Sequence, residues 1–203
     1  MKYDVIVIGA GPSGIFTALE LVRHGAQKKI LMIEKGKPVN KRHCPKSETG
    51  KCINCKPNCM ITTGFSGAGA CSDGKLSLSC EVGGELPTLI GEEFAQELID
   101  YTDRIYLEFG ADEHVEGIYE GDEVKEIRKR AIRAGLRLVN CPIRHLGTEK
   151  AQQLYLNIQN YLMDQGVEIL FETECENIIL DGDLCTGVRI SVSYTHLRAH
   201  ETA

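Results

Sequence analysis

The spacing of apolar positions changes several times along the chain, and each change marks an element. Tyr3 to Ile8 is a short β-branched run, the pattern of a strand buried in a parallel sheet. Gly9 to Gly14 breaks it as a glycine turn, and Ile15 to Arg23 then reads as a helix stopped by Gly25. Ile30 to Ile33 is a second apolar strand ending on Glu34, so one β–α–β unit fits into about thirty residues. From Gly36 to Ser79 no helical period appears, and Gly, Pro, Cys, Ser and Lys dominate. A loop of that length in a compact domain is usually functional or stitched by a ligand or metal.

Three amphipathic helices are predicted next. Glu92 to Phe109 aligns Phe94, Leu98, Tyr101, Ile105 and Phe109, with Gly110 closing it. Asp122 to Ala134 aligns Val124, Ile127, Ala131 and Ala134, with acids at its start and Lys129, Arg130 and Arg133 near its end, as the helix dipole favours. Thr148 opens a third helix as a cap, with the stripe Ala151, Tyr155, Ile158 and Leu162. Leu136 to Pro142 reads as extended. Val167, Ile169 and Phe171 alternate as a strand, and Ile178–Leu180 and Leu184–Ile190 flank the hairpin signal Asp181–Gly182.

The pattern predicts an α/β protein. Residues 1–79 form the N-terminal part of a nucleotide-binding domain, 80–146 a mainly helical insertion, and 147–191 the return to the first domain. Val192 to Thr202, VSYTHLRAHET, does not continue the strand before it. It resembles one translated frame of an adapter used to prepare sequencing libraries, so 192–203 is expected to be a non-native tail on a truncated protein. His196 and His200 are accordingly left out of site reasoning.

Composition narrows the function. Among 203 residues, Lys and Arg number 23 and Asp and Glu 29, a net charge of −6. That sign gives no general pull toward nucleic acid or anionic lipid. No apolar run approaches the length of about 20 residues that a membrane span requires. The start lacks the basic region of a signal peptide, which predicts the reducing cytoplasm, where nine cysteines suit metal or redox chemistry better than a disulfide scaffold.

Gly9-Ala10-Gly11-Pro12-Ser13-Gly14 fits G-x-G-x-x-G between strand and helix, and Glu34 falls twenty residues later. Gly9 permits the tight turn, Gly11 lets backbone approach a pyrophosphate, and Gly14 lets the helix pack on the strand. The helix N-terminus attracts the phosphates, and Glu34 can accept bonds from the ribose hydroxyls. The fingerprint alone serves FAD and NAD alike. Its place at the N-terminus and the long loop after the second strand favour FAD. Further on, four glycines between Gly64 and Gly74 allow close approach to a flat ring, and Lys75 can face the negative charge of a reduced flavin.

These motifs carry a resemblance. DVIVIGAGPSG (Asp4–Gly14), IEKG (Ile33–Gly36), GFSGAGACSDGKL (Gly64–Leu76) and IRHLGT (Ile143–Thr148) resemble a bacterial family of FAD-dependent dehydrogenases of the glutathione-reductase structural type. The resemblance implies a Rossmann-like FAD-binding domain of the three-layer ββα type, incomplete at its C-terminus. It implies FAD contacts at Gly9, Gly11, Pro12, Ser13, Gly14, Glu34, Lys35, Gly67, Ala68 and Gly69. Cys175 would touch adenine through its backbone. Ser66 stands where that family is expected to have glycine. The implied activity is hydride transfer between a small-molecule substrate and flavin, with NAD(P)H as a possible second reductant. A non-catalytic nucleotide-binding or metal-stabilised module and a thiol–disulfide flavin reductase are the alternatives.

Cys44, Cys52, Cys55 and Cys59 are spaced C-x7-C-x2-C-x3-C, which suits one tetrahedral zinc ion or an iron–sulfur cluster. A redox pair and free structural cysteines stay open beside it. Arg144 and His145 are candidates for orienting a substrate or relaying a proton, with Lys75 as a third; a structural pair before a helix is the plainer reading.

Overall fold

The computed structural model describes residues 2–25, 27–118 and 120–192; the expected tail beyond Val192 lies outside them. In chain order the elements are β1 (Val5–Ile8), α1 (Pro12–Arg23), β2 (Ile30–Ile33), α2 (Lys46–Thr49), β3 (Lys75–Ser77), α3 (Leu86–Ile90), α4 (Glu92–Glu108), α5 (Asp122–Arg133), β4 (Ile143–His145), α6 (Thr148–Asp164), β5 (Glu168–Leu170), β6 (Thr173–Asp181) and β7 (Leu184–Val192). They fall into two compact units, Met1–Cys71 with Tyr155–Ala203, and Ser72–Leu154.

The first unit is built on a parallel sheet of order β1-β2-β5. Val5 to Ile8 pair with Ile30 to Ile33, and Leu31 to Ile33 pair with Glu168 to Leu170. β2 is flanked on both sides and all four of its residues are buried, which is why its sequence is continuously apolar instead of alternating. Ile15, Ala18 and Leu19 of α1 and Tyr155, Ile158 and Leu162 of α6 are buried with it. Each large side chain contributes about 1.5–3 kcal/mol by leaving water. Phe65 is wholly buried and meets the Phe171 ring edge-on, with centroids 6.4 Å apart. β6 and β7 pair antiparallel around Asp181–Asp183, as the hairpin signal predicts.

The second unit starts earlier than the expected residue 80. Lys75 to Ser77 pair antiparallel with Ile143 to His145, so the end of the long loop belongs to the insertion. Leu136 to Pro142 forms no strand; the strand begins at Ile143. α4 appears where predicted, but its buried face is Ala95 and Ile105, with Phe109 buried just past its end, while Phe94 and Leu98 are exposed. α5 also forms and buries no residue at all. Amphipathic spacing gives a helix its stripe, but a neighbouring element has to be present to cover it.

Candidate functional site

The carboxyl ends of β1 and β2 open into a cavity of about 580 Å³. Gly9, Gly11, Glu34, Lys35, Gly67 and Cys175 line it, together with Thr62, Thr63 and Thr173. A binding crevice beyond the carboxyl ends of parallel strands is the general site of open α/β sheets.

Its floor depends on close backbone approach. A Cβ at Gly14 would stand 2.0 Å from the Gly9 carbonyl oxygen, so only glycine lets α1 sit down on the turn. A Cβ at Gly36 would stand 2.4 Å from Gly64 N, so the exit from β2 and the glycine-rich loop also touch backbone to backbone. α1 begins at Pro12; no side chain caps its N-terminus and its first turn holds no acid. Its free N–H groups and positive dipole end therefore remain available to an anion.

Glu34 is 6% exposed and joins three loops. Oε2 accepts from Ala10 N at 2.8 Å, and Oε1 accepts from Gly36 N at 2.8 Å and Gly64 N at 3.0 Å. An ionised carboxylate has about four acceptor positions. Three are taken by the protein, so about one remains open, where the sequence reading allowed for both ribose hydroxyls. Ser66 N donates to Ala10 O at 2.7 Å, a second tie between the fingerprint turn and the glycine-rich loop.

Ser66 itself has φ +71° and is wholly buried. Glycine is the residue that adopts this left-handed backbone without cost. Here a serine holds it, and its Oγ accepts from Ala70 N at 2.8 Å, capping the short turn at Gly69–Cys71.

Arg42 was not singled out from sequence. It is buried, and its guanidinium donates to the carbonyls of Phe65 at 2.6 Å, Ile61 at 2.5 Å and Met60 at 3.2 Å. Burial pulls its pKa down, while Cys71 and Glu34 oppose that pull. Three carbonyls on one side chain fix the descent from the cysteine segment into the glycine-rich loop. An arginine among four lysines in a polar stretch carries no sequence signal of that role. Thr62 and Thr63 were also missed; hydroxyl residues immediately before Gly64 were the available clue.

The other expected positions divide. Pro12 and Gly14 shape the turn and helix start without lining the cavity. Ser13 instead lines a separate hollow with Phe16, Thr17 and His24. Ala68 and Gly69 follow Gly67 but do not line the cavity themselves.

Lys75, Arg144 and His145 belong to the other unit. Lys75 pairs with Asp73 at 2.9 Å, which raises the lysine pKa and lowers that of the carboxyl. Arg144 is 4% exposed and clasps both carboxylate oxygens of Asp103, at 2.5 and 2.8 Å, and also donates to the Asp112 carbonyl. Hydrogen bonding to Asp103 raises its pKa. His145 lies opposite Lys75 on the paired strand, 4.0 Å from Glu116.

Cys44, Cys52, Cys55 and Cys59 line one cavity of about 460 Å³. All are free thiols. Among the described residues no three His, Cys, Asp or Glu side chains stand in a metal-holding arrangement, so the sulfurs share a cavity without converging on one point. No buried side chain between His43 and Ile61 draws them together. Backbone hydrogen bonds from Thr62 and Ile61, with a smaller contribution from Arg42, lower the Cys59 thiol pKa.

Residues 2–49 match the sequence family of the FAD binding domain. An uncharacterized protein of Clostridium beijerinckii (strain ATCC 51743 / NCIMB 8052) is 40% identical over 77 residues, which cover 38% of this chain and 14% of that protein. Among solved structures, 3-ketosteroid-delta4-(5alpha)-dehydrogenase from Rhodococcus jostii RHA1 aligns with a TM-score of 0.57 at 13% identity, over 94% of this chain and 42% of that one. Glycine oxidase from Bacillus cereus ATCC 14579 aligns with a TM-score of 0.49 at 18% identity, over 94% of this chain and 53% of that one. The chain thus spans a small part of the curated relative and about half of these structures. Parallel sheet, fingerprint turn and family match agree on the architecture: a mixed α/β, Rossmann-like fold of the kind FAD-binding domains have.

Proposed function

We propose that this chain is the FAD-binding part of a FAD-dependent oxidoreductase that moves a hydride between a small-molecule substrate and flavin. The observation that carries this reading is the cavity at the ends of β1 and β2, with the uncapped N-terminus of α1 on one side and the Glu34 carboxylate on the other. The two groups suit opposite ends of an adenosine diphosphate. The helix end and Gly11 receive the pyrophosphate. The remaining acceptor position of Glu34 receives a ribose hydroxyl. A carboxylate there repels a 2′-phosphate, which favours an unphosphorylated ribose. Lys35, Thr62 and Thr63 border the same end, and the Cys175 backbone offers an edge to adenine.

When bound, FAD supplies the hydride chemistry, and the residues here supply binding and orientation. Gly67 and its neighbours form the backbone surface toward the ring. NAD(P)H is a candidate reductant within this reading, and the reducing cytoplasm its setting. Arg144 is committed to Asp103, which leaves His145 and Lys75 as the more accessible of the three candidate side chains.

The reading is tested by reconstituting the protein with FAD, FMN and NAD+ separately and measuring retention by absorbance and fluorescence. FAD is expected to be retained and FMN lost, since FMN lacks the adenosine diphosphate that the cavity addresses. Retention of NAD+ with no flavin overturns it. Anaerobic bleaching of the bound flavin by NADH or NADPH then decides the reductant.

A further inference from the structure

The second unit leaves two helix faces bare. α5 buries no residue, and Ile127 and Ile132 on it are exposed together with Leu136, Leu138 and Val139 just beyond it. On α3 and α4 the exposed apolar residues are Leu86, Leu89, Phe94 and Leu98, with Phe94 51% exposed. Both faces belong to the same compact unit, Ser72–Leu154, and neither covers the other. Large apolar side chains gathered in water on ordered elements mark an interaction surface.

The two faces carry opposite charge. α4 holds six acids and one base, whereas α5 holds five bases and three acids. Within α5, Lys125 pairs with Asp122 at 3.1 Å and Lys129 with Glu126 at 3.3 Å, and Arg128 donates to Asn140 at 3.0 Å. Arg130 and Arg133 are exposed and have no ion pair among the described residues. The same holds for Glu93 and Glu97 on α4, next to Phe94. Helical rise separates the two acids by about 6 Å and the two arginines by about 4.5 Å. Those spacings suit two carboxylate–guanidinium pairs side by side, the strongest of the charged hydrogen-bond geometries.

We propose that the exposed face of α4 docks on α5 of a second copy of this chain, in a two-fold dimer that makes the contact twice. Each face supplies what the other lacks: apolar surface for apolar surface, and Glu93 and Glu97 for Arg130 and Arg133. A two-fold axis closes such an assembly, because the face that α4 seeks on the partner is also the face that α5 offers in return. An anionic bilayer fits less well, since the chain has a net charge of −6 and the acids of α4 lie in the same unit as α5. Two helix-on-helix contacts fall at the low end of specific interface sizes, so association in the micromolar range is expected. None of these residues lines the nucleotide cavity, so the proposal stands or falls apart from the flavin reading.

Sedimentation equilibrium of the chain across the micromolar range tests it. A monomer–dimer equilibrium is expected, with a dissociation constant that rises at least tenfold from low to high salt as the ion pairs are screened. Arg130→Glu combined with Arg133→Glu should leave a monomer, and so should Glu93→Arg combined with Glu97→Arg, because each homodimer then sets like charge against like. Mixing the two variants should restore a dimer, since both contacts of the mixed pair again join acid to base. Phe94→Ser should weaken the wild-type dimer and keep its salt dependence. If a reversed variant does not fold, the salt series on wild type and on Phe94→Ser decides. A chain that stays monomeric overturns the proposal, as does a mass that keeps growing with concentration, a dimer indifferent to salt, or one that either charge reversal leaves intact. Binding of the monomer to phosphatidylglycerol vesicles with no dimer in solution also overturns it.

Discussion

Glu34 shows how one side chain serves both fold and ligand. Its carboxylate pins the fingerprint turn, the exit from β2 and the glycine-rich loop through three backbone N–H groups. Glu34→Ala leaves those three buried donors unsatisfied, at about 1–3 kcal/mol each before relaxation. The expected outcome is a loss of at least about 3 kcal/mol in a urea melt, together with FAD binding weaker by about 1–3 kcal/mol in a titration. A variant as stable as wild type would show that the three loops hold without it. The acid at the end of β2 was legible in the sequence from its distance to Gly14. Its three protein partners were not, because Gly64 lies thirty residues away and only the folded chain brings it near.

At the scale of elements, the second unit depends on an ion pair more than on a broad core. Arg144 on β4 grips Asp103 on α4, with side chains 5% and 16% exposed. Asp103→Asn leaves a buried guanidinium without its counter-charge, and a loss of about 3–5 kcal/mol is expected in chemical denaturation. A loss under about 1 kcal/mol would mean that the carbonyls of Asp112 and His114 suffice. Asp112 gives the unit an acid limb. The His114 backbone N–H lowers its pKa most, and Lys150 adds to the effect. A carboxyl depressed on folding stabilises fully above its unfolded pKa of about 3.9, and the contribution disappears as pH falls through the folded value. The melting temperatures of wild type and Asp112→Asn should therefore differ at pH 7 and converge in acid. A constant gap from neutral to low pH would count against that assignment. α6 followed its sequence stripe closely, since Ala151, Tyr155, Ile158 and Leu162 are all buried. α5 kept its predicted span but none of its predicted burial.

For the whole molecule, order and burial part company. The paired strands β6 and β7 are regular, yet Ile178, Ile179, Leu180, Leu184 and Ile190 are exposed, and beyond Thr173 β6 has no buried residue. An isolated two-stranded hairpin is marginal in water. Amide exchange should accordingly be fast across β6 and β7 and slow across β2, whose four residues are buried. Equal protection in both would show that the hairpin has a partner surface. The long loop gives the opposite lesson. Its helical turns and its strand β3 are too short to leave a period, and β3 exists only because β4 pairs with it from far along the chain.

What the sequence determined by itself is local and periodic. The strand–turn–helix–strand order, the fingerprint glycines, the spans of α4, α5 and α6 and the hairpin turn all follow from spacing and turn chemistry within a few residues. Tertiary structure alone decided which stripes were covered, where the insertion began and which charges were spent. Arg144 reads either as a substrate-orienting cation or as a structural residue until Asp103 closes on it, and Arg42 reads as one more basic residue until three carbonyls surround it. Burial and hydrogen-bond partners depend on groups far apart in the chain, and spacing along a sequence does not encode that distance.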